Sequence, residues 1–190
     1  DEKDGWQGAT PHHHVVNVTV CGSWWRGEPD ELGIPHALGR DGAPRGYSTI
    51  TFDGHQAVVD YKASRRPADY QLRIEVPDVV QAGEEKVLVY ANVFNGSRDS
   101  KVRMRLGEKG AWINLKKTVE LDPDFLALKK REAGRRDKLE GIDLPAPVPS
   151  HRLWKAELPL GLPAGVHRLW VETEDMYGRT YDASRIIRIE

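Results

Sequence analysis

Short runs of alternating apolar and polar residues dominate this chain, and a period of two is typical of β-strands. Beyond about residue 70 these runs recur at regular spacing and are separated by turn residues such as Gly, Asn and Pro. The predicted strands span 70–76, 86–94, 101–106, 112–118, 151–158, 165–174 and 179–189. This spacing predicts a mainly β fold, an antiparallel β-sandwich of the immunoglobulin or fibronectin type.

Two further strand-like features precede the sandwich. The segment 14–21 contains four Val and one Thr, and this β-branched run predicts a strand buried on both faces. Residues 47–52 and 57–61 flank Asp53-Gly54, a pair that strongly favours a β-hairpin. We therefore expect a short layer of strands ahead of the sandwich.

Domain organisation follows from two polar stretches. The segment 65–69 contains two Arg and a Pro, so we place a domain boundary there and expect domains at 1–66 and 67–190. Within the second domain, Asp122-Pro123 is an N-cap followed by Pro at the first helical position, which predicts a helix. The helix has a basic end, expected to be a solvated face, and a Pro-rich tail, so 122–150 is predicted as an insertion between strands.

Composition excludes several classes of partner. The 190 residues include 28 basic and 29 acidic side chains, a net charge of -1, so no bulk attraction to nucleic acid or anionic membranes is expected. No run approaches the roughly 18 apolar residues that a membrane span needs. The single Cys21 cannot form a disulfide within the chain.

Three consecutive histidines at 12–14 raise the question of a metal site. Adjacent residues of a strand point to opposite faces, so only two of them, His12 and His14, can converge on one ion. No Asp, Glu or Cys stands at an obvious companion spacing. We therefore expect no metal or cofactor to be bound by this chain alone.

The following loop contains the best candidates for a binding surface. Trp24 and Trp25 fit either a stacking platform or a buried anchor, and both interpretations stay open. Charged residues follow, and their Arg side chains suit phosphate or carboxylate ligands, although Arg–Asp pairing within the loop is favoured for all except Arg26. The charged set is Arg26, Asp30, Arg40, Asp41 and Arg45.

Three more tryptophans, Trp112, Trp154 and Trp170, lie in predicted strands. An exposed row of them would form a carbohydrate-binding face, whereas core packing is the commoner fate of Trp in such sandwiches. We favour core packing.

Two parts of the sequence resemble the C-terminal part of bacterial calcineurin-like metallophosphoesterases that carry a β-sandwich after the catalytic core. The first is PHHHVVNVTVCGSWWRG with DELGIP, RDGAPRGY and TFDG, and the second is SHRLWKAELPLGLPAGVHRLWVETEDMYGRTY. The resemblance implies an upstream core with a divalent metal pair of unknown identity that cleaves a phosphoester of unknown type. The Gly-Asn-His and Gly-His-x-His ligand motifs of such cores do not occur in this sequence.

The resemblance thus implies that residues 1–66 are the terminal strands of a phosphoesterase core and that this chain is an accessory segment without catalytic residues. Its partner would be the upstream core of the same polypeptide, and the enzyme would be exported, to the periplasm for example. Exposed strand edges would also permit a homo-oligomer. We expect residues 14–25 to fold back on the sandwich, pair between chains or be poorly ordered.

The candidate rim of the parent active site comprises Trp24, Trp25, Arg26, Asp30, Arg40 and Asp41. The alternative function is a free-standing carbohydrate-binding or adhesion module.

Overall fold

The computed structural model describes residues 7–9, 14–135 and 143–190. Within these residues the chain forms eleven strands and one helix. The elements are β1 Gly46–Asp53, β2 Gln56–Ala63, β3 Leu72–Glu75, β4 Val79–Val80, β5 Leu88–Val93, β6 Lys101–Leu106, β7 Ile113–Asn114, β8 Lys116–Glu120, α1 Pro123–Ala133, β9 Ser150–Glu157, β10 Gly165–Glu174 and β11 Thr180–Ile189. Among the described residues, no helix has the length and hydropathy needed to cross a membrane.

Two sheets form the sandwich. One has the strand order β4-β11-β10-β6-β7 and the other β3-β5-β9-β8. The strand pairs are antiparallel except β4 with β11, which is parallel. Alternate residues of both sheets, among them Val89, Met104 and Leu169, are fully buried between them in a single core. The predicted fold class, a mainly β sandwich with one helical insertion, is confirmed.

One predicted strand divides into two. The segment predicted at 112–118 forms β7 in one sheet and β8 in the other, with the buried Leu115 between them. The Leu115 amide donates to Val102 O at 2.8 Å, which holds the crossing point to β6. A chain that changes sheets keeps its apolar alternation, so the sequence pattern shows one strand where the structure has two.

The hairpin is confirmed. β1 and β2 pair antiparallel from Gly46 opposite Ala63 to Asp53 opposite Gln56, and the turn residue Gly54 adopts a φ of 57°. β2 packs on the sandwich through Tyr61 and Ala63, which bury against Phe94.

The predicted buried strand at 14–21 is wrong. Residues 14–19 form no strand, and Val15, Val16 and Val20 are exposed. β-branched residues favour an extended backbone, but a strand also needs a hydrogen-bonded neighbour, and the described residues provide none for this segment. The segment instead folds back on the sandwich, where Arg152 donates to Val16 O and Val18 packs beside Tyr61 and Phe94.

The insertion has a structural partner that the sequence did not indicate. Asp122 caps α1 as predicted, accepting a hydrogen bond from the Phe125 amide at 2.9 Å. Phe125 and Leu128 of α1 bury against Leu38 and Leu144, so the helix packs on the loop that precedes the hairpin. These contacts cross the boundary predicted near residue 66, and the division at that residue stays a prediction.

Candidate functional site: the Trp loop and its supports

The tandem tryptophans lie at the surface on a tight turn, residues 19–26, hereafter the Trp loop. Trp24 is 73% exposed, Trp25 is 53% exposed, and Arg26 beside them is also exposed. Hydrogen bonds close the turn, from the Gly22 amide to Thr19 O at 2.9 Å and from the Arg26 amide to Ser23 O at 3.2 Å. The exposure of both rings agrees with the interpretation of the Trp pair as a surface platform and not with that of a buried anchor.

The backbone of the Trp loop is strained. Trp24 and Trp25 have φ values of 53° and 60°, in the left-handed region that costs an L-residue about 1–2 kcal/mol. Such a conformation persists only where the surrounding structure determines it. Here the Ser23 amide donates to Ala37 O at 3.2 Å, the Ala37 amide donates to Arg26 O at 2.8 Å, and the Ser23 hydroxyl donates to Leu38 O.

Arg45 packs against the ring of Trp25 and ties the Trp loop to the residues that follow it. Its guanidinium carbon lies 5.1 Å from the centre of the Trp25 ring, and the side chain is almost fully buried. The guanidinium donates to His36 O at 3.0 Å and to Pro35 O, and it lies 3.6 Å from an Asp30 carboxylate oxygen. Asp30 and Arg45 therefore form the pairing within the loop that the sequence favoured.

Asp30 also organises the neighbouring turn. Its Oδ1 accepts hydrogen bonds from the Leu32 amide at 2.9 Å and the Ile34 amide at 3.2 Å. Burial opposes ionisation of this carboxyl, but the two amides and the charge of Arg45 outweigh it, so the pKa of Asp30 is lowered from its ordinary value of 3.8.

The lowered pKa gives a prediction for Asp30→Asn. Because the folded-state pKa lies below 3.8, the carboxylate stabilises the fold fully above that pH, and the contribution is lost as the pH falls through the folded-state pKa. We expect the variant to lose about 1 kcal/mol of unfolding free energy at pH 7, and the difference from the wild type to shrink below pH 3.8. Urea unfolding of both proteins across this range measures it, and a pH-independent difference would contradict the assignment.

Arg40 and Asp41 have structural partners away from the Trp pair. Arg40 Nε donates to Ala146 O at 2.7 Å, and the Val148 amide donates to Arg40 O at 3.0 Å, so this residue holds the Pro-rich tail. Asp41 forms an ion pair with Arg152 of β9. The structure therefore groups Trp25 with Arg45 and Asp30, and it engages Arg40 and Asp41 elsewhere. Their role at a substrate rim stays a prediction.

The insertion also forms ion pairs with Glu28, which lies just after the Trp loop. Glu28 lies 2.7 Å from Arg131 and 4.0 Å from Arg135, so this helix end is not simply a solvated face as expected. The buried Glu132 accepts a hydrogen bond from the Leu144 amide at 3.1 Å, which fixes the Pro-rich tail beside the helix. Sequence reasoning missed these contacts because opposite charges about 100 positions apart carry no periodic signal.

Only one of the two histidine candidates, His14, lies among the described residues. His14 is exposed, and His12 lies outside the described residues. An Asp-x-His spacing, which could supply two metal ligands, occurs once in the sequence, at Asp53 and His55. Both residues are exposed at the turn of the β1–β2 hairpin. In the described ranges no three His, Cys, Asp or Glu side chains are grouped so as to hold an ion. These residues do not fit the metal pair that the resemblance implies.

The other tryptophans divide between core and surface. Trp154 is buried in the core, as predicted. Trp112 is half-buried between Arg103 and Arg105, whose guanidinium carbons lie 4.5 and 4.7 Å from its ring centre. Trp170, opposite Arg105, is also half-buried on the outer face of the five-stranded sheet. Of these three tryptophans only Trp154 packs in the core. Arg103 and Arg105 lie over the ring of Trp112, and the guanidinium carbon of Arg168 lies 5.6 Å from the ring centre of Trp170.

The described residues form a β-sandwich unit that carries one strained aromatic loop at its surface. A family model described as the C terminal of calcineurin-like phosphoesterase matches residues 14–181. The chain belongs to this family, which confirms the resemblance found in the sequence.

Solved structures share only a distant likeness. A superoxide reductase (neelaredoxin) from Ignicoccus hospitalis is 14% identical with a TM-score of 0.34, and the match covers 63% of this chain and 80% of that one. The soluble domain of PmoD from Methylocystis is 12% identical with a TM-score of 0.31, covering 74% and 96%. Comparison with curated proteins gives no match. These structural similarities do not bear on function.

Proposed function

We propose that this chain is the C-terminal accessory part of a metal-dependent phosphoesterase, and that it supports the catalytic core and shapes substrate access without hydrolysing phosphoesters alone. Family membership supports the first part of the proposal. In calcineurin-like phosphoesterases a divalent metal pair in the core activates water and stabilises the charge on phosphoester oxygens. The described residues of this chain lack such a ligand set, so their contribution is binding and positioning.

The observation that carries the proposal is that Trp24 and Trp25 are exposed while hydrogen bonds fix the backbone of their loop. Large aromatic rings at a surface bind apolar or aromatic groups, and a surface fixed before binding loses less entropy when it binds. Each tryptophan is kept in a left-handed conformation, which the loop maintains through the hydrogen bonds to Ala37 and Leu38. Strain of this kind is concentrated at functional sites.

Arg26 adds charge to the same surface. It is exposed, and none of the ion pairs found among the described residues involves it. A guanidinium suits the phosphate of a phosphoester, and the adjacent rings suit an organic substituent on that phosphate. Trp24, Trp25 and Arg26 therefore form the proposed substrate rim.

The rim hypothesis is tested with Trp24→Ala in the full-length enzyme. Loss of one aromatic contact is expected to raise KM for an aryl phosphodiester about 3- to 10-fold, with kcat little changed, because the ring binds substrate but takes no part in the chemistry. Steady-state kinetics with bis(p-nitrophenyl) phosphate measure both constants.

Leu160→Ala is the matched control, since Leu160 is 72% exposed, close to Trp24, but lies in a turn of the sandwich. The control is expected to keep the wild-type KM. An unchanged KM for Trp24→Ala, or a fall in kcat alone, would count against a substrate rim.

Exposure of Trp24 and Trp25 also favours the second candidate, a carbohydrate-binding or adhesion module. The burial of Trp154 and the arginine cover of Trp112 give that candidate no extended row of rings. A glycan array distinguishes the two, because saccharide binding that Trp25→Ala abolishes would support the module and argue against the accessory role.

A further inference from the structure

The two edges of the β1–β2 hairpin differ. On β2 the outward backbone groups are bound by the sandwich: the Val59 amide donates to the Tyr177 hydroxyl at 3.2 Å, and Val59 O accepts from Arg179 at 3.0 Å and from Asn95 at 3.1 Å. Tyr61 O likewise accepts from Gln71 at 2.7 Å. The β2 edge is therefore occupied.

The register shows where the β1 groups point. Val59 stands opposite Ile50, and because the backbone of Val59 faces away from β1, this is a non-hydrogen-bonded pair of the antiparallel ladder. The amide and carbonyl of Ile50 then face away from β2, as do those of Ser48 and Phe52 at the alternate positions. Within residues 7–9, 14–135 and 143–190, no hydrogen bond to these outward groups is found.

The β1 edge also lacks the features that prevent strand addition. The strand has eight residues, GYSTITFD, without Pro and without a charge before its last position. Tyr47, Ile50 and Phe52 are exposed, and Phe52 is 72% exposed. A long, apolar, unprotected edge is a template for another strand, and a two-stranded hairpin alone is only marginally stable.

We propose that the outer edge of β1 pairs with a strand of the upstream phosphoesterase core, so that the hairpin is continuous with a core sheet. This inference rests on the proposed function. Hydrogen bonds to Ser48, Ile50 and Phe52 would supply the affinity, and the apolar side chains of β1 would pack on the core.

The position of the preceding segment selects the core as the partner. Residues 14–18 line a groove of about 570 Å³ together with Ser48 of β1 and Val59 and Tyr61 of β2, so the start of this described segment lies against the hairpin. A covalently attached strand has a high effective concentration at this edge, which a second copy of the chain does not have. Val15 and Val16, which line this groove, are exposed and add apolar surface to it.

Residue-resolved hydrogen–deuterium exchange of the full-length enzyme and of the 190-residue chain tests the proposal. The amides of Ile50 and Phe52 are expected to exchange about 100-fold or more slowly in the full-length enzyme. The amides of Thr49 and Thr51, which bond within the hairpin, are the internal control and are expected to change much less.

A variant pair makes the test specific. Phe52→Lys, which places a charge on the edge, is expected to remove the added protection at Ile50, whereas Leu160→Lys, at the same 72% exposure, keeps it. Equal exchange at Ile50 in the full-length enzyme and the isolated chain would overturn the edge proposal. Concentration-dependent protection in the isolated chain, with a dimer in light scattering, would overturn it in favour of a second copy.

Deletion of residues 14–190 from the full-length enzyme separates this inference from the proposed function. Loss of activity or stability on deletion, together with an unprotected Ile50 amide in the intact full-length enzyme, would contradict the edge pairing and leave the accessory role intact. No effect of deletion would contradict the accessory role itself, and the edge inference with it.

Discussion

Asp122→Ala is expected to lower the free energy of unfolding by about 4 kcal/mol, the range for breaking a buried ion pair by removing one partner. Asp122 is fully buried, and Oδ1 accepts from Arg73 at 2.8 Å and from the Phe125 amide at 2.9 Å. Oδ2 accepts from Asn92 at 2.7 Å. One carboxylate thus joins β3, β5 and the start of α1.

The large expected loss of stability comes from Arg73, which would lose its buried carboxylate partner. Burial alone would lower the pKa of Arg73, but the charges of Asp122, Asp124 and Glu75 raise it above its ordinary value, so the guanidinium stays charged in the interior. Removing Asp122 leaves this charge with fewer partners and also removes the helix cap.

Urea unfolding of the 190-residue chain measures the effect, and Asp122→Asn is the matched variant. Asn keeps the shape and the cap but not the charge, so its loss is expected to be smaller than that of Ala. Equal stability of the Ala variant and the wild type would show that Asp122 does not organise the insertion.

Gly22→Ala is expected to cost about 3 kcal/mol of unfolding free energy and to displace the Trp loop. The φ of Gly22 is 56°, and a Cβ built there would overlap the carbonyl oxygen of Ala37. A backbone oxygen cannot rotate away as a side chain can, so the hydrogen bonds between the Trp loop and Ala37 would have to break. The stacking of Arg45 on Trp25 would be lost together with these hydrogen bonds.

Gly33→Ala is the control in the same region. Gly33 has a φ of 73°, but a Cβ there would meet nothing within 4 Å, so only the left-handed conformation costs energy, about 1 kcal/mol. Tryptophan fluorescence and urea unfolding compare the two variants. Similar losses and unchanged fluorescence in both would mean that the Trp loop is not held against Ala37 as described.

Local sequence patterns predicted the fold well. Regular apolar alternation located the strands of the sandwich, and Asp122-Pro123 located the start of α1, because strand faces and helix caps depend on neighbouring residues. The two-residue strand β4 is too short to show a period. The strand predicted at 14–21 failed because strand formation also depends on a neighbour, which composition does not specify.

The candidate site was predictable only in part. Sequence singled out Trp24, Trp25 and Arg26, and the structure exposes all three. The sequence did not indicate that the insertion supports the same region, because the apolar cluster that contains Leu38 and Leu128 joins distant positions without a shared motif. The pairing of Asp41 with Arg152 is similarly remote.

We propose that hydrolysis belongs to the core and that this chain is its accessory part. The most direct measurement is cleavage of bis(p-nitrophenyl) phosphate, with added divalent metal and then with a chelator, by the full-length enzyme and by the isolated 190-residue chain. We expect chelator-sensitive cleavage by the full-length enzyme and no cleavage above background by the isolated chain. Chelator-sensitive cleavage by the isolated chain at the full-length rate would contradict the account.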